Sequence, residues 1–176
     1  MIDSHQHFWK YDPSRHAWIS DEMKTIRRDF QPGDLKPLLD LHGIEGCVVV
    51  QVDQTEDETL QLLSLANQYA FIKGVVGWID LRNKNLGSRL EYFSSLKKLK
   101  GFRHIAQGEK AGFLVQQDFV RGVQQLKHSD LTYDLLIYHH QLAESADFLR
   151  QVPIQRDARS YPYSHCKVRH WRYIAK

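Results

Sequence analysis

Gly46-Cys47-Val48-Val49-Val50-Gln51-Val52, followed by Thr55-Glu56-Asp57-Glu58-Thr59-Leu60-Gln61-Leu62-Leu63-Ser64-Leu65-Ala66, is the stretch on which the fold turns. The first run is almost continuously apolar and β-branched, the pattern of a strand covered on both faces in a parallel sheet. The second changes period at once. Thr55 and Glu58 have capping-box spacing, and Leu60, Leu62, Leu63, Leu65 and Ala66 supply the buried side of a helix that runs to about Tyr69.

The same alternation extends in both directions. Upstream, residues 1–8 read as a strand and 31–43 as a helix in which Asp34 caps, Pro37 falls in the first turn and Gly43 ends the run. Downstream, strands are expected at 72–80, 100–105 and 132–138, and helices at 86–96, 118–127 and 141–150. Strands alternating with helices in this rhythm predict right-handed βαβ units and a parallel α/β sheet. Five strands are about five-eighths of a TIM-type (β/α)8 barrel. A doubly wound open sheet is the alternative.

Composition sets outer limits. A chain of 176 residues with 42% hydrophobic and 26% charged residues reads as one ordinary globular unit. No apolar run approaches the roughly 20 residues of a membrane span, and the first residues lack the basic-then-apolar pattern of a signal peptide. A cytoplasmic protein without membrane partners is the expectation. Cys47 and Cys166 imply no disulfide framework, and Cys47 reads as a buried small hydrophobe. The net charge of +3 is concentrated at the C-terminal end, where Arg156, Arg159, Lys167, Arg169, Arg172 and Lys176 face Asp157 alone. The remaining body is slightly acidic, which is no footprint for nucleic acid. Two parts are therefore expected: 1–150 as an ordered α/β body and 151–176 as a basic tail.

The chemistry gathers at strand ends. Asp3, His5 and His7 alternate along the first strand, so they are expected to point one way while Ser4 and Gln6 point the other. Imidazoles suit zinc and related divalent metals, but two need further ligands from other strands. Arg103 and His104 close the fourth strand, where a guanidinium can grip a carboxylate or carbonyl bidentately. The competing reading of Arg103 is a surface ion pair. Trp78 and Asp80 close the third strand and are expected to line the pocket, with core packing and helix capping as the competing roles. His16, His42 and His128 fall in loops or helix ends and are given no role.

The runs Ile2-Asp3-Ser4-His5-Gln6-His7-Phe8-Trp9, Trp18-Ile19, Gly74-Val75-Val76-Gly77-Trp78-Ile79-Asp80 and Leu99-Lys100-Gly101-Phe102-Arg103-His104 together resemble the amidohydrolase-related family, in its sugar-lactonase and pyrone-dicarboxylate hydrolase branch. The resemblance covers about residues 1–150. It implies a distorted TIM barrel and hydrolysis of a lactone by activated water. His5 and His7 match histidines that bind a metal, such as zinc or manganese, in some members and polarise substrate without metal in others. Arg103 and His104 match the fourth-strand pair of the site. Tyr138 resembles a substrate-contact position and Trp78 is expected to line the pocket. Where the family has Pro-Arg after that tyrosine, this chain has His139-His140, which reads more simply as a solvated loop.

A second departure follows residue 150. The family's sixth-strand Leu-Asp-His-Ile and its eighth-strand aspartate, the general base, have no counterpart here. Codons GCT CGA TCA TAT spell Ala158-Arg159-Ser160-Tyr161 and, read from the second nucleotide, begin Leu-Asp-His. A shifted reading frame near residues 154–156 is therefore expected, leaving a truncated barrel without that general base. The coding DNA tests this directly.

The resulting expectation is a lactone hydrolase acting on a small-molecule lactone or carboxylated substrate. A decarboxylase or amide hydrolase of the same family is the enzymatic rival. A non-catalytic binding fragment, gripping single strands through Tyr161, Tyr163, Trp171 and Tyr173 among basic residues, is the rival of another class.

Overall fold

The computed structural model describes residues 1–152, and the tail expected at 151–176 lies almost wholly outside them. The described residues divide into two compact units, Met1–Trp78 and a second that begins at Ile79.

In the first unit β1 (Ile2–Gln6) pairs in parallel with β2 (Gly46–Val50), and β2 pairs in parallel with β3 (Ile72–Gly77). The connections are the helices α1 (Pro32–Leu41) and α2 (Glu56–Gln68). The valine run of β2 behaves as its composition predicts: Cys47, Val49 and Val50 are wholly buried. Leu62, Leu63 and Ala66 of α2 complete that core.

The helix ends show where local chemistry differed from expectation. Gln31 is the N-cap of α1 and donates its backbone N–H to Asp34 Oδ2 at 2.8 Å, so Asp34 sits inside the first turn. Because the helix begins at Pro32, Pro37 lies in its interior and not in the first turn, and the carbonyl of Gly33 loses its usual amide donor. Gly43 ends the helix with φ of 64°, and Ile44 N–H returns to Leu39 O at 2.8 Å, a Schellman closure. Thr55 Oγ1 accepts the Glu58 N–H at 3.1 Å as the spacing predicts. The Glu58 carboxylate, however, turns away from Thr55 and accepts N–H groups from Val52 and Asp53.

The second unit pairs β4 (Leu99–Ile105) in parallel with β5 (Thr132–Leu136). Its helices are α3 (Leu86–Ser94), α4 (Gln117–Gln125) and α5 (Leu142–Gln151). One sheet face carries Phe102, His104 and Tyr133 against the helices. Phe102 meets Phe93 edge-on at 5.8 Å, and Tyr133 meets Phe119 and Phe148 at 6.0 and 6.1 Å. Such aromatic contacts add to the stabilisation from buried apolar area.

Helix α4 approaches this core through Gly122, where an added Cβ would lie 1.8 Å from Leu81 O. Glycine to alanine in a helix interior normally stabilises by roughly 1 kcal/mol. Here backbone blocks the methyl, so Gly122→Ala is expected to destabilise by about 2 kcal/mol or more in a denaturant titration. Gly87→Ala, where nothing lies within 4 Å, is the control and is expected to cost nothing.

Candidate active site

The first unit brings His5 and His7 together. Their Nε2 atoms lie 3.0 Å apart, with ring centroids at 4.8 Å and planes at 78°. The tautomer of one ring follows from its other nitrogen. His7 Nδ1 lies 2.9 Å from Val50 O, and a carbonyl only accepts, so Nδ1 carries the hydrogen and Nε2 bears the lone pair. His5 therefore presents Nε2–H to that lone pair, or the two nitrogens share a cation.

A bulge explains the geometry. Asp3 pairs with Cys47 and Gln6 with Val49, three steps on β1 against two on β2. The extra residue breaks strict alternation and re-aims side chains. Gln6, expected on the face opposite Asp3, instead donates its Nε2–H to Asp3 Oδ2 at 2.6 Å. Asp3 Oδ1 accepts the His5 backbone N–H at 3.1 Å. The carboxylate thus braces the strand that carries the histidines. Beneath it, burial and then the charge of Asp3 push the Cys47 thiol up to about 12, which leaves it protonated and inert.

As a metal site this pair meets part of the requirement. Two nitrogens on one tetrahedral zinc are about 3.3 Å apart, and a ligating histidine commonly donates its second N–H to a carbonyl. The pair approaches the first condition, and His7 meets the second. Among the described residues no group of three or more His, Cys, Asp or Glu side chains stands ready to hold a metal ion. The residues present fit two positions of a ligand set.

Two clamps fix the ends of the neighbouring strands. Glu58, nearly fully buried, holds the β2 exit by accepting from Val52 N at 2.9 Å and Asp53 N at 2.8 Å. Burial raises its carboxyl to about 7 against those two hydrogen bonds, which favour the ionised form. Thr59 Oγ1 accepts from Trp78 N and donates to Trp78 O, both at 2.8 Å. Trp78 is thus anchored by its backbone and its ring is half-buried.

The second unit separates the other expected pair. Arg103 is register partner of Asp134, so the two share a sheet face, and both are buried. His104 points to the opposite face, stacked on Phe113 at 4.8 Å and edge-on to Phe119 at 5.6 Å. Its Nε2 lies 2.8 Å from Glu109 Oε1. Burial lowers the His104 pKa, and the Glu109 carboxylate offsets part of that effect. Tyr138 follows β5 and is exposed; its ring stacks on His140 at 5.7 Å while its N–H donates to Gln141 Oε1 at 2.8 Å. Gln141 in turn donates to Ala106 O at 2.8 Å, tying the β5 exit to the turn after β4.

Asp134, Glu109 and Gln141 carried no role in the sequence reading. Asp134 was legible in principle, as a carboxylate inside Thr132-Tyr133-Asp134-Leu135-Leu136, but its partner emerges only from strand register.

Residues 2–155 match the family model described as Amidohydrolase. An L-fucono-1,5-lactonase of Burkholderia multivorans is 40% identical over 149 residues, 84% of this chain and 50% of that protein. An L-fucono-1,5-lactonase of Burkholderia ambifaria is 31% identical over 158 residues, 86% of this chain and 53% of that protein. Among solved structures, an amidohydrolase from Burkholderia multivorans with bound zinc superposes with a TM-score of 0.81 at 39% identity, covering 85% of this chain and 53% of that one. The chain spans about half the length of the curated relatives it matches. The α/β fold class is therefore that of the TIM-type amidohydrolase barrel, in part, and not of a doubly wound sheet. Among the described residues no helix is long and apolar enough to cross a membrane.

Glu58 gives a pH test of the site's scaffold. Its folded-state pKa stands above the reference 4.5, so its contribution is fully present below 4.5 and is lost as pH rises through about 7. Denaturant titrations at pH 5 and pH 8 are expected to show a smaller fall in stability for Glu58→Gln than for the unaltered chain. An equal fall in both would contradict this assignment.

Proposed function

The chain belongs to the amidohydrolase family, and on that premise we propose that it carries the carbonyl-activating part of a lactone hydrolase acting on a polyhydroxylated sugar-acid lactone. The observation that carries this reading is the converging His5 and His7 pair, its tautomer set by Val50 O. The likeness to L-fucono-1,5-lactonases supplies the substrate class.

Lactone hydrolysis adds water to the carbonyl carbon and breaks the ring C–O bond, releasing a hydroxy acid. Negative charge develops on the carbonyl oxygen as water adds, and a donor aimed at that oxygen stabilises it. His5 is assigned to this task through its Nε2–H, which passes from the His7 lone pair it meets in the free chain to the substrate oxygen, with the Val50-anchored His7 beside it. A divalent cation such as zinc or manganese, held by His5 and His7, would supply Lewis-acid polarisation of the same oxygen and acidify a water. Zinc bound in the solved relative supports that choice.

Arg103 is assigned to substrate recognition. It is a buried guanidinium on the face shared with Asp134, and it stands near the C-terminal end of a parallel strand, where barrel enzymes keep their chemistry. Asp134 is assigned to compensating its charge, since a buried cation requires a partner. His104 lies on the reverse face and is assigned an indirect part, fixing the strand end through Glu109. Trp78 and Tyr138 are assigned as substrate-contact residues at the exits of β3 and β5. The reaction requires no membrane and no nucleic acid, and a cytoplasmic setting suits a small polar substrate.

The test is to follow acid release from L-fucono-1,5-lactone and related sugar lactones by the purified full chain, with and without zinc or manganese. Hydrolysis above background is expected, with His5→Ala and Arg103→Ala each lowering it by about a hundredfold. Absence of hydrolysis by a well-folded sample would remove the catalytic assignment.

A further inference from the structure

The segment between β1 and α1 is long and contains a buried histidine outside the His5 and His7 pair. His16 retains 3% of its exposure. Its ring is stacked on Tyr11 at 5.9 Å and meets Trp18 edge-on at 6.5 Å. The Asp12 backbone N–H donates to His16 Nδ1 at 3.0 Å, so Nδ1 bears the lone pair and Nε2 carries the hydrogen. His16 N–H returns to Asp12 O at 2.9 Å, which locks the turn.

His16 Nε2 is aimed at Asp53 Oδ1 but stops 4.0 Å from it. That is beyond a hydrogen bond. The other carboxylate oxygen, Oδ2, is held by Arg15, and the Asp53 backbone is held by Glu58. Donor and acceptor are thus fixed from both sides, and neither atom has another partner among the described residues. An oxygen about 2.8 Å from each would sit with an angle near 90° across the gap. It would accept from His16 and donate to Asp53. Only a group that does both fits, and a hydroxyl does so where a carbonyl or an ammonium does not.

We propose that His16 and Asp53 form a hydroxyl-recognition niche that binds a ring hydroxyl of the substrate and contributes to specificity. The proposal rests on the reading of the chain as acting on a polyhydroxylated lactone. Position supports it: the segment bearing His16 leaves β1 directly after His7, and Asp53 lies three residues beyond Val50, whose carbonyl holds His7. Histidine pair and niche therefore occupy the same end of the same two strands. Loops at that end of a barrel are where substrate selection is built. Asp53 retains 17% of its side-chain exposure, enough to be reached.

L-fucose is the probe, because its pyranose ring keeps the hydroxyls of the corresponding lactone and offers nothing to hydrolyse. Its binding to the full chain is measured by NMR titration, observing the His16 Nε2–H resonance. The expected result is a shift of that resonance and a Kd raised about tenfold by either Asp53→Asn or His16→Phe, the loss typical of a hydrogen bond to a charged group. Arg15→Ala, which leaves the donor and the accepting oxygen in place, is expected to raise it much less. Unchanged imidazole signals of His5 and His7 certify that each variant is folded. Equal affinity in all four proteins would overturn the niche while leaving lactone hydrolysis, assayed separately, intact. A His16 resonance unmoved at saturating L-fucose would assign the gap to water and also overturn it. Asp53-dependent binding in a protein that hydrolyses no lactone would support the niche and refute the hydrolase reading.

Discussion

The hydrogen bond from His7 Nδ1 to Val50 O is the constraint on which the histidine site depends. It joins the first side chain beyond β1 to the last carbonyl of β2, and it decides which nitrogen of His7 is free. With Nδ1 committed, it is Nε2 that His7 turns to His5, and the two rings approach closely there. The bulge in β1 makes that approach possible, and the Asp3 carboxylate, bonded to Gln6 and to the His5 backbone, holds the bulge.

The strand exits are treated as carefully as the histidines. Glu58 reaches back from α2 to the β2 exit, and Thr59, its neighbour, grips Trp78 at the β3 exit. In the second unit Gln141 and Glu109 do the same for the turn that follows β4. Glu58, Thr59 and Gln141 satisfy backbone groups at or just beyond the strand ends, while Glu109 holds the His104 side chain. Side chains presented from such ends are preorganised, which is what electrostatic catalysis demands. Gly77 belongs to the same design, since a Cβ there would stand 2.4 Å from Thr59 Cγ2.

The fold was largely legible because the β-branched run 46–52 and the leucine pattern after it use periods that differ sharply. All five strands and five helices lie within a few residues of their expected bounds. The family, too, could be read from short motifs. What escaped was every feature that depends on register or on side-chain reach. Period-two reasoning placed Gln6 away from Asp3, and one extra residue in β1 brought them together. Neighbouring letters suggested a joint role for Arg103 and His104, but adjacent strand residues face apart, and the true neighbour of Arg103 is Asp134 from another strand. His16 was invisible because its segment has no periodicity. It touches Tyr11, Trp18 and Asp12, none of which signals a histidine site in one dimension.

The most direct measurement is the tautomeric state of His7 in the metal-free chain, read from imidazole nitrogen-15 shifts and their couplings to the ring protons. The account predicts the Nδ1–H tautomer for His7, with an unprotonated Nε2 facing His5. A His7 ring protonated at Nε2 and bare at Nδ1 would contradict it, because the Val50 carbonyl would then have no hydrogen to accept and the histidine pair would lose its anchor.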